Sequence, residues 1–139
     1  MTRRRRFSAI APSVGEARRF LAEALVNESA GPVDDAGLMV SELATNAVRH
    51  ALTSFDLTVC RTPEEIRVEV TDYGDGVPMM RCLDTDAIDG RGLQIVDTLS
   101  TRWGVSRGPG SGKTVWFALA LADRRDPASR GRIPSAQLT

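Results

Sequence analysis

The chain has 139 residues, 42% of them hydrophobic and 26% charged, which suits one soluble globular domain with a single core. Lysines plus arginines balance aspartates plus glutamates at 18 each, so the summed charge advertises no polyanionic partner and direct nucleic-acid binding is not expected. The longest apolar runs, such as 115–122, fall far short of the roughly 20 residues that cross a bilayer, and no hydrophobic signal segment follows the basic start, so the expected address is cytoplasmic with no membrane contact.

Residues 1–6 carry the run Arg3, Arg4, Arg5 and Arg6. A solvated, mobile end is the favoured reading, and contact with a phosphate or nucleic acid is the other. Residues 7–10 are short and semi-apolar, fit for an edge strand, and Pro12 and Ser13 give a helix start. Val14, Ala17, Phe20, Leu21, Ala24 and Leu25 then recur at helical spacing until glycine and proline break the pattern at 27–32. Asp34 and Asp35 are expected to cap a second helix that runs to about Ala51. Alternation predicts strands at 55–61 and 65–71, joined by a turn through Thr62, Pro63 and Glu64.

From Tyr73 to Gly92 periodicity is lost among glycines, Pro78 and the aspartates Asp84, Asp86 and Asp89, which marks a functional loop more than a connector. Residues 93–99 resume helical spacing; 103–105 and 114–121 read as strands about a glycine-rich turn. The order αα, ββ, α, ββ predicts an α+β fold, a two-layer α/β sandwich with helices on one face of a mixed, mainly antiparallel sheet. Residues 123–139 mix charge, proline and serine without a hydrophobic period and read as a disordered tail. Cys60 and Cys82 have neither close spacing nor enough histidine for a zinc site, so both read as inert thiols.

The second helix has two faces. Val40, Leu43, Ala44, Ala47, Val48 and Ala51 share one broad apolar arc, which is core. Glu42, Asn46, Arg49 and His50 fall opposite, with Glu42 and Asn46 one turn apart. An ordinary solvated face is one reading. A mid-helix asparagine adds little helix stability, however, and an amide oxygen there can fill one position around a hard magnesium ion whose other ligands are waters and phosphate oxygens. A carboxylate one turn away can align a hydroxyl or water attacking a terminal phosphate.

Asp72, Gly74 and Gly76 follow directly on a strand, where an aspartate can accept from an exocyclic amine and glycines let backbone lie close to a flat base. Gly90, Arg91 and Gly92 open a helix at Leu93, and free amides at a helix start bind phosphate. Each motif alone has a plain alternative, a tight turn or an ordinary helix start.

Together, Glu42-x-x-x-Asn46 extended through His50, Asp72-x-Gly74-x-Gly76, Gly90-x-Gly92 and Gly112-Lys113-Thr114 resemble the motif series of the GHKL ATPase superfamily of gyrase, histidine kinases and MutL. The resemblance covers most of residues 7–122 and implies a Bergerat-type ATP-binding domain with ATP and magnesium as ligands. Small size, the short loop before Gly90, Trp103-Gly104 and Gly112 to Trp116 are similar to the stand-alone anti-sigma-factor serine kinases and to actinobacterial ATP-binding regulatory proteins.

On that resemblance Glu42 is the general base, Asn46 the magnesium ligand and Asp72 the adenine-amine acceptor. Gly74 and Gly76 form the floor of the base pocket, Gly90, Arg91, Gly92 and Leu93 cradle phosphate, and Thr114 reaches the adenine side with Asp72. The implied partners are a sigma factor or an anti-sigma-factor antagonist, and the implied assembly a homodimer. The implied activity is serine phosphorylation of the antagonist; a module that binds ATP without transferring it is the alternative.

Residues 108–114 are also similar to a P-loop, but the spacing is one residue short, and residues 115–121 read as a buried strand where a P-loop needs a helix. Lys113 is then either near a phosphate or a solvated turn residue. His50 either contacts phosphate or complements the helix dipole. Trp103 and Trp116 read as packing residues, and the sequence does not separate phosphate from partner contacts for Arg81 and Arg91.

Overall fold

The computed structural model describes residues 1–74, 93–107 and 112–121. Strand β1, Thr2–Phe7, pairs antiparallel with β2, Phe55–Arg61, in a register from Thr2 opposite Cys60 to Phe7 opposite Phe55. Strand β2 pairs with β3, Glu65–Asp72. Beyond β3 lies β5, Lys113–Ala120, and β4, Arg102–Arg107, pairs with β5 at the far edge. Among the described residues the order β1-β2-β3-β5-β4 is antiparallel at every pairing, in keeping with the expected mainly antiparallel sheet.

Helices α1, Pro12–Ala24, and α2, Ala30–Asn46, form the second layer, with a helical segment at 93–99 termed α3. Strand alternation explains the layering. Along β3, Ile66, Val68, Val70 and Asp72 are buried on the helix side, while Glu65, Arg67, Glu69 and Thr71 are more open on the other. Phe7 stacks on Phe55 at 5.4 Å between ring centroids and meets Phe20 of α1 edge-on at 6.0 Å, which ties β1, β2 and α1 into one core with Leu21, Met39, Val40, Leu57 and Phe117. Fully burying such a side chain stabilises the fold by about 1.5–3 kcal/mol. Among the described residues no helix is long and apolar enough to cross a membrane.

Two expectations are corrected. The arginine run is not a mobile end: it is most of β1, and the strand stops at Phe7 instead of starting there. Arg4 and Arg6 lie on the helix-free side with Asp56 of β2, whose carboxylate accepts from Arg4 Nη2 at 2.6 Å and Arg6 Nε at 2.9 Å. The hydroxyl of Tyr73 also donates to Asp56, which is only 2% exposed beneath these groups. Second, α2 begins at Ala30 after an extended Ser29, so Gly31 and Pro32 occupy its first turn and Asp34 and Asp35 do not cap it. Proline is tolerated there because the first-turn amides lack intrahelical partners anyway.

The hydrogen bonds from Arg6, Tyr73 and Arg4 hold the Asp56 carboxyl well below the usual carboxylate range, against the opposing effect of burial. A depressed folded-state pKa contributes stability above the unfolded value of about 4, and that contribution is lost as pH falls below it. The gap in unfolding free energy between wild type and Asp56→Asn is therefore expected to be largest near pH 6 and to shrink toward pH 2, as read by urea denaturation across that range. A gap independent of pH would contradict the assignment.

Candidate functional site

The sequence places an asparagine and a histidine one turn apart near the end of α2, and the local backbone there changes character. Residues Ala47–Ala51 form a single π-helical turn, closed by the Leu52 amide donating to the Ala47 carbonyl at 3.0 Å, and Leu52 itself is left-handed with φ 60°. Such wide turns recur at functional sites because they re-aim the side chains they carry. Here the turn presents His50 beside Asn46 to a cavity of about 150 Å³.

The cavity lies between α2 and the inner side of the β3, β5 and β4 strands, with α3 contributing Leu93. Its walls are largely apolar: Leu43 and Ala47 from α2, Val70 from β3, Val115 from β5 and Val105 from β4. Among the described residues its polar groups are Asn46, His50, Asp72, Arg107 and Lys113. Mostly apolar walls with a few placed polar groups are the usual make-up of a small-molecule pocket.

Register explains how Asp72 and Lys113 meet. They are directly paired across β3 and β5 and share the helix side with Val70 and Val115. Asp72, 7% exposed, accepts from the Gly74 amide through Oδ1 at 3.1 Å and from Lys113 Nζ through Oδ2 at 2.9 Å. Buried carboxylates persist when hydrogen-bonded and paired in this way.

Two glycines flank that pair, and the second lets the chain close around it. A Cβ on Gly74 would stand 3.4 Å from the Ala51 Cβ at the end of the π turn. Gly112 has φ of +100°, and a Cβ there would lie 2.5 Å from the Asp72 carbonyl oxygen. Gly112→Ala is expected to cost about 1–3 kcal/mol through strained backbone, read as a lower urea midpoint with an unchanged slope. An unchanged midpoint would show that the β3–β5 end tolerates a side chain.

Of the residues singled out by sequence, Asn46, His50, Asp72, Leu93 and Lys113 line the cavity, and Gly74 and Gly112 flank Asp72. Glu42 sits one turn before Asn46, half-buried, and is not among the lining residues. Thr114 requires correction: it pairs with Thr71, its hydroxyl is 2.7 Å from the Thr71 hydroxyl, and alternation puts both on the helix-free side, away from Asp72. Gly76, Gly90, Arg91 and Gly92 lie outside the described residues, as do Arg81, Cys82 and the aspartates of the 73–92 loop.

The P-loop is excluded, since Lys113 opens a strand and not a helix. Trp116 packs over Gly104, where a Cβ would come within 2.8 Å of the indole, and the Arg67 guanidinium lies 4.1 Å from a Trp116 ring centroid. Trp103 donates to Asp97 of α3 at 2.9 Å.

Sequence reading missed the Asp56 network. Arg6 packs over the Tyr73 ring at 5.0 Å while the Tyr73 amide donates to Thr53 Oγ1 at 3.0 Å, so the residue between Asp72 and Gly74 is held from both ends. The sequence signal for it was Asp56, an aspartate between the apolar Phe55 and Leu57 of a strand, with its arginine partners some fifty positions away.

Comparison with known proteins bears on this arrangement. The model of the histidine kinase-like ATPase domain family matches residues 7–119. No curated protein matches the chain. Among solved structures, a similar fold occurs in the crystal structure of the RsbU and RsbW domains of Rv1364c from Mycobacterium tuberculosis, with a TM-score of 0.67 and 18% identity over 89% of this chain. The match covers 34% of that chain, so the present protein spans about a third of its length.

Proposed function

The chain belongs to the histidine kinase-like ATPase domain family, and from that premise we propose that it binds ATP with magnesium in the cavity between α2 and the β3–β5 strands. The observation that carries this reading is Asp72: a buried carboxylate at a strand end, facing an apolar cavity whose opposite wall carries Asn46. Apolar walls accept a flat base, and the carboxylate accepts from its exocyclic amine. Asn46 is the magnesium ligand in this reading. The other ligands of that ion would be nucleotide phosphates and water.

ATP supplies the phosphoryl group, and Glu42 aligns the accepting hydroxyl and takes its proton. The protein is on this reading an anti-sigma factor with serine protein kinase activity toward an anti-sigma-factor antagonist. The fold shared with a solved structure that contains an RsbW domain supports it. Incubating the protein with γ-labelled ATP, magnesium and candidate antagonists tests it: label on an antagonist serine is the expected result, and label on no candidate despite ATP binding would overturn the kinase reading.

One observation favours a second reading. Glu42 does not line the cavity, as a residue with a purely regulatory or structural position on α2 would not. A module that holds ATP and switches partners without transfer fits that placement, and in it nucleotide biases which partner is bound.

A further inference from the structure

The end of the cavity holds more than the single acceptor that the motif reading assigned. Lys113 Nζ lies 2.9 Å from Asp72 Oδ2, fixed there by the strand register that sets the two residues opposite each other. An ammonium has three donors and a carboxylate about four acceptor positions, so the pair retains capacity on both sides after bonding to each other and to the Gly74 amide. It therefore offers an acceptor and a donor side by side at the apolar end of the cavity. The adenine edge offers the complement, an exocyclic amine that donates next to a ring nitrogen that accepts.

Resting on the nucleotide reading above, we propose that Lys113 is a specificity-determining residue that donates to adenine N1, the six-membered-ring nitrogen beside the amine accepted by Asp72, and does not contact the phosphates. Moving the ammonium to a phosphate would leave a carboxylate that is 7% exposed without its cation, and uncompensated buried charge is costly. Staying in place, Lys113 keeps Asp72 neutralised and adds a charge-assisted hydrogen bond to the base.

Calorimetric titration of wild type and Lys113→Met with adenosine, magnesium ATP and 1-deazaadenosine, which lacks the ring nitrogen next to the amine, separates the roles. Wild type is expected to bind 1-deazaadenosine about tenfold more weakly than adenosine, the loss of one charge-assisted hydrogen bond. Lys113→Met is expected to lose the same factor for adenosine and for ATP, and to bind adenosine and its 1-deaza analogue alike. A variant that loses affinity for ATP but not for adenosine would place Lys113 on the phosphates and overturn the proposal. Equal wild-type affinities for adenosine and 1-deazaadenosine would overturn it without any variant, so a poorly folding mutant leaves the test intact. Wild type that binds neither adenosine nor ATP would instead overturn the nucleotide reading itself, and this inference with it.

Discussion

Glu42→Ala is expected to lower phosphoryl transfer to an antagonist serine by about 10²–10⁴-fold, the usual contribution of a positioned general base, while ATP affinity stays within about twofold. The expectation follows from position. Glu42 is one helical turn from Asn46, so it lies near the proposed metal ligand, yet it is absent from the cavity wall that would hold the base. Removing it takes away no contact with the cavity's contents. A quenched-flow or end-point labelling assay paired with calorimetry separates the two quantities. Equal transfer rates in variant and wild type would strip Glu42 of the role, and a matching loss of affinity would show that it binds nucleotide instead.

Asp72→Asn is expected to weaken ATP binding by about 10–100-fold, because a charge-assisted hydrogen bond is lost and a half-buried lysine is left unpaired. The side-chain oxygen of the introduced asparagine would continue to accept from the Gly74 amide, as Asp72 Oδ1 does at 3.1 Å. Its NH₂ group would then stand where Oδ2 now meets Lys113, placing donor against donor and leaving the base amine without an acceptor. Because the lysine loses its partner, the melting temperature is expected to fall as well, so affinity must be compared at a temperature where both proteins are folded. Undiminished affinity would remove Asp72 from the site.

These effects show which parts of the molecule its sequence made legible. The strands at 55–61 and 65–72 and the helix from Pro12 were readable because one buried side imposes period two or 3.6 on the apolar residues, and Phe55, Leu57, Val59 and Ile66, Val68, Val70 keep that period closely. The α2 side of the cavity was readable for a related reason: opposite the apolar arc, Asn46 sits mid-helix one turn from Glu42 and adds little helix stability there. The start of β1 was not readable. Four consecutive arginines look like a solvated tail unless the buried Asp56 and the rings of Phe20 and Tyr73 are known as their partners, and those come from distant positions. Thr114 was misplaced because its role was carried over from the resemblance together with the Gly112-Lys113-Thr114 motif, whereas the strand period sends it to the side opposite Lys113. The Asp72–Lys113 pair was equally hidden, since it depends on the register between two strands some forty positions apart and on nothing local to either.

Backbone amide NMR during titration with magnesium ATP reads directly whether nucleotide occupies the cavity between α2 and the β3–β5 strands. Saturable shift changes are expected to concentrate at Asn46, His50, Asp72, Gly74 and Lys113, with Arg67, Glu69 and Trp116 on the helix-free side of the sheet unmoved. Saturable changes centred on Arg67 and Trp116, or none at all at millimolar magnesium ATP, would contradict it.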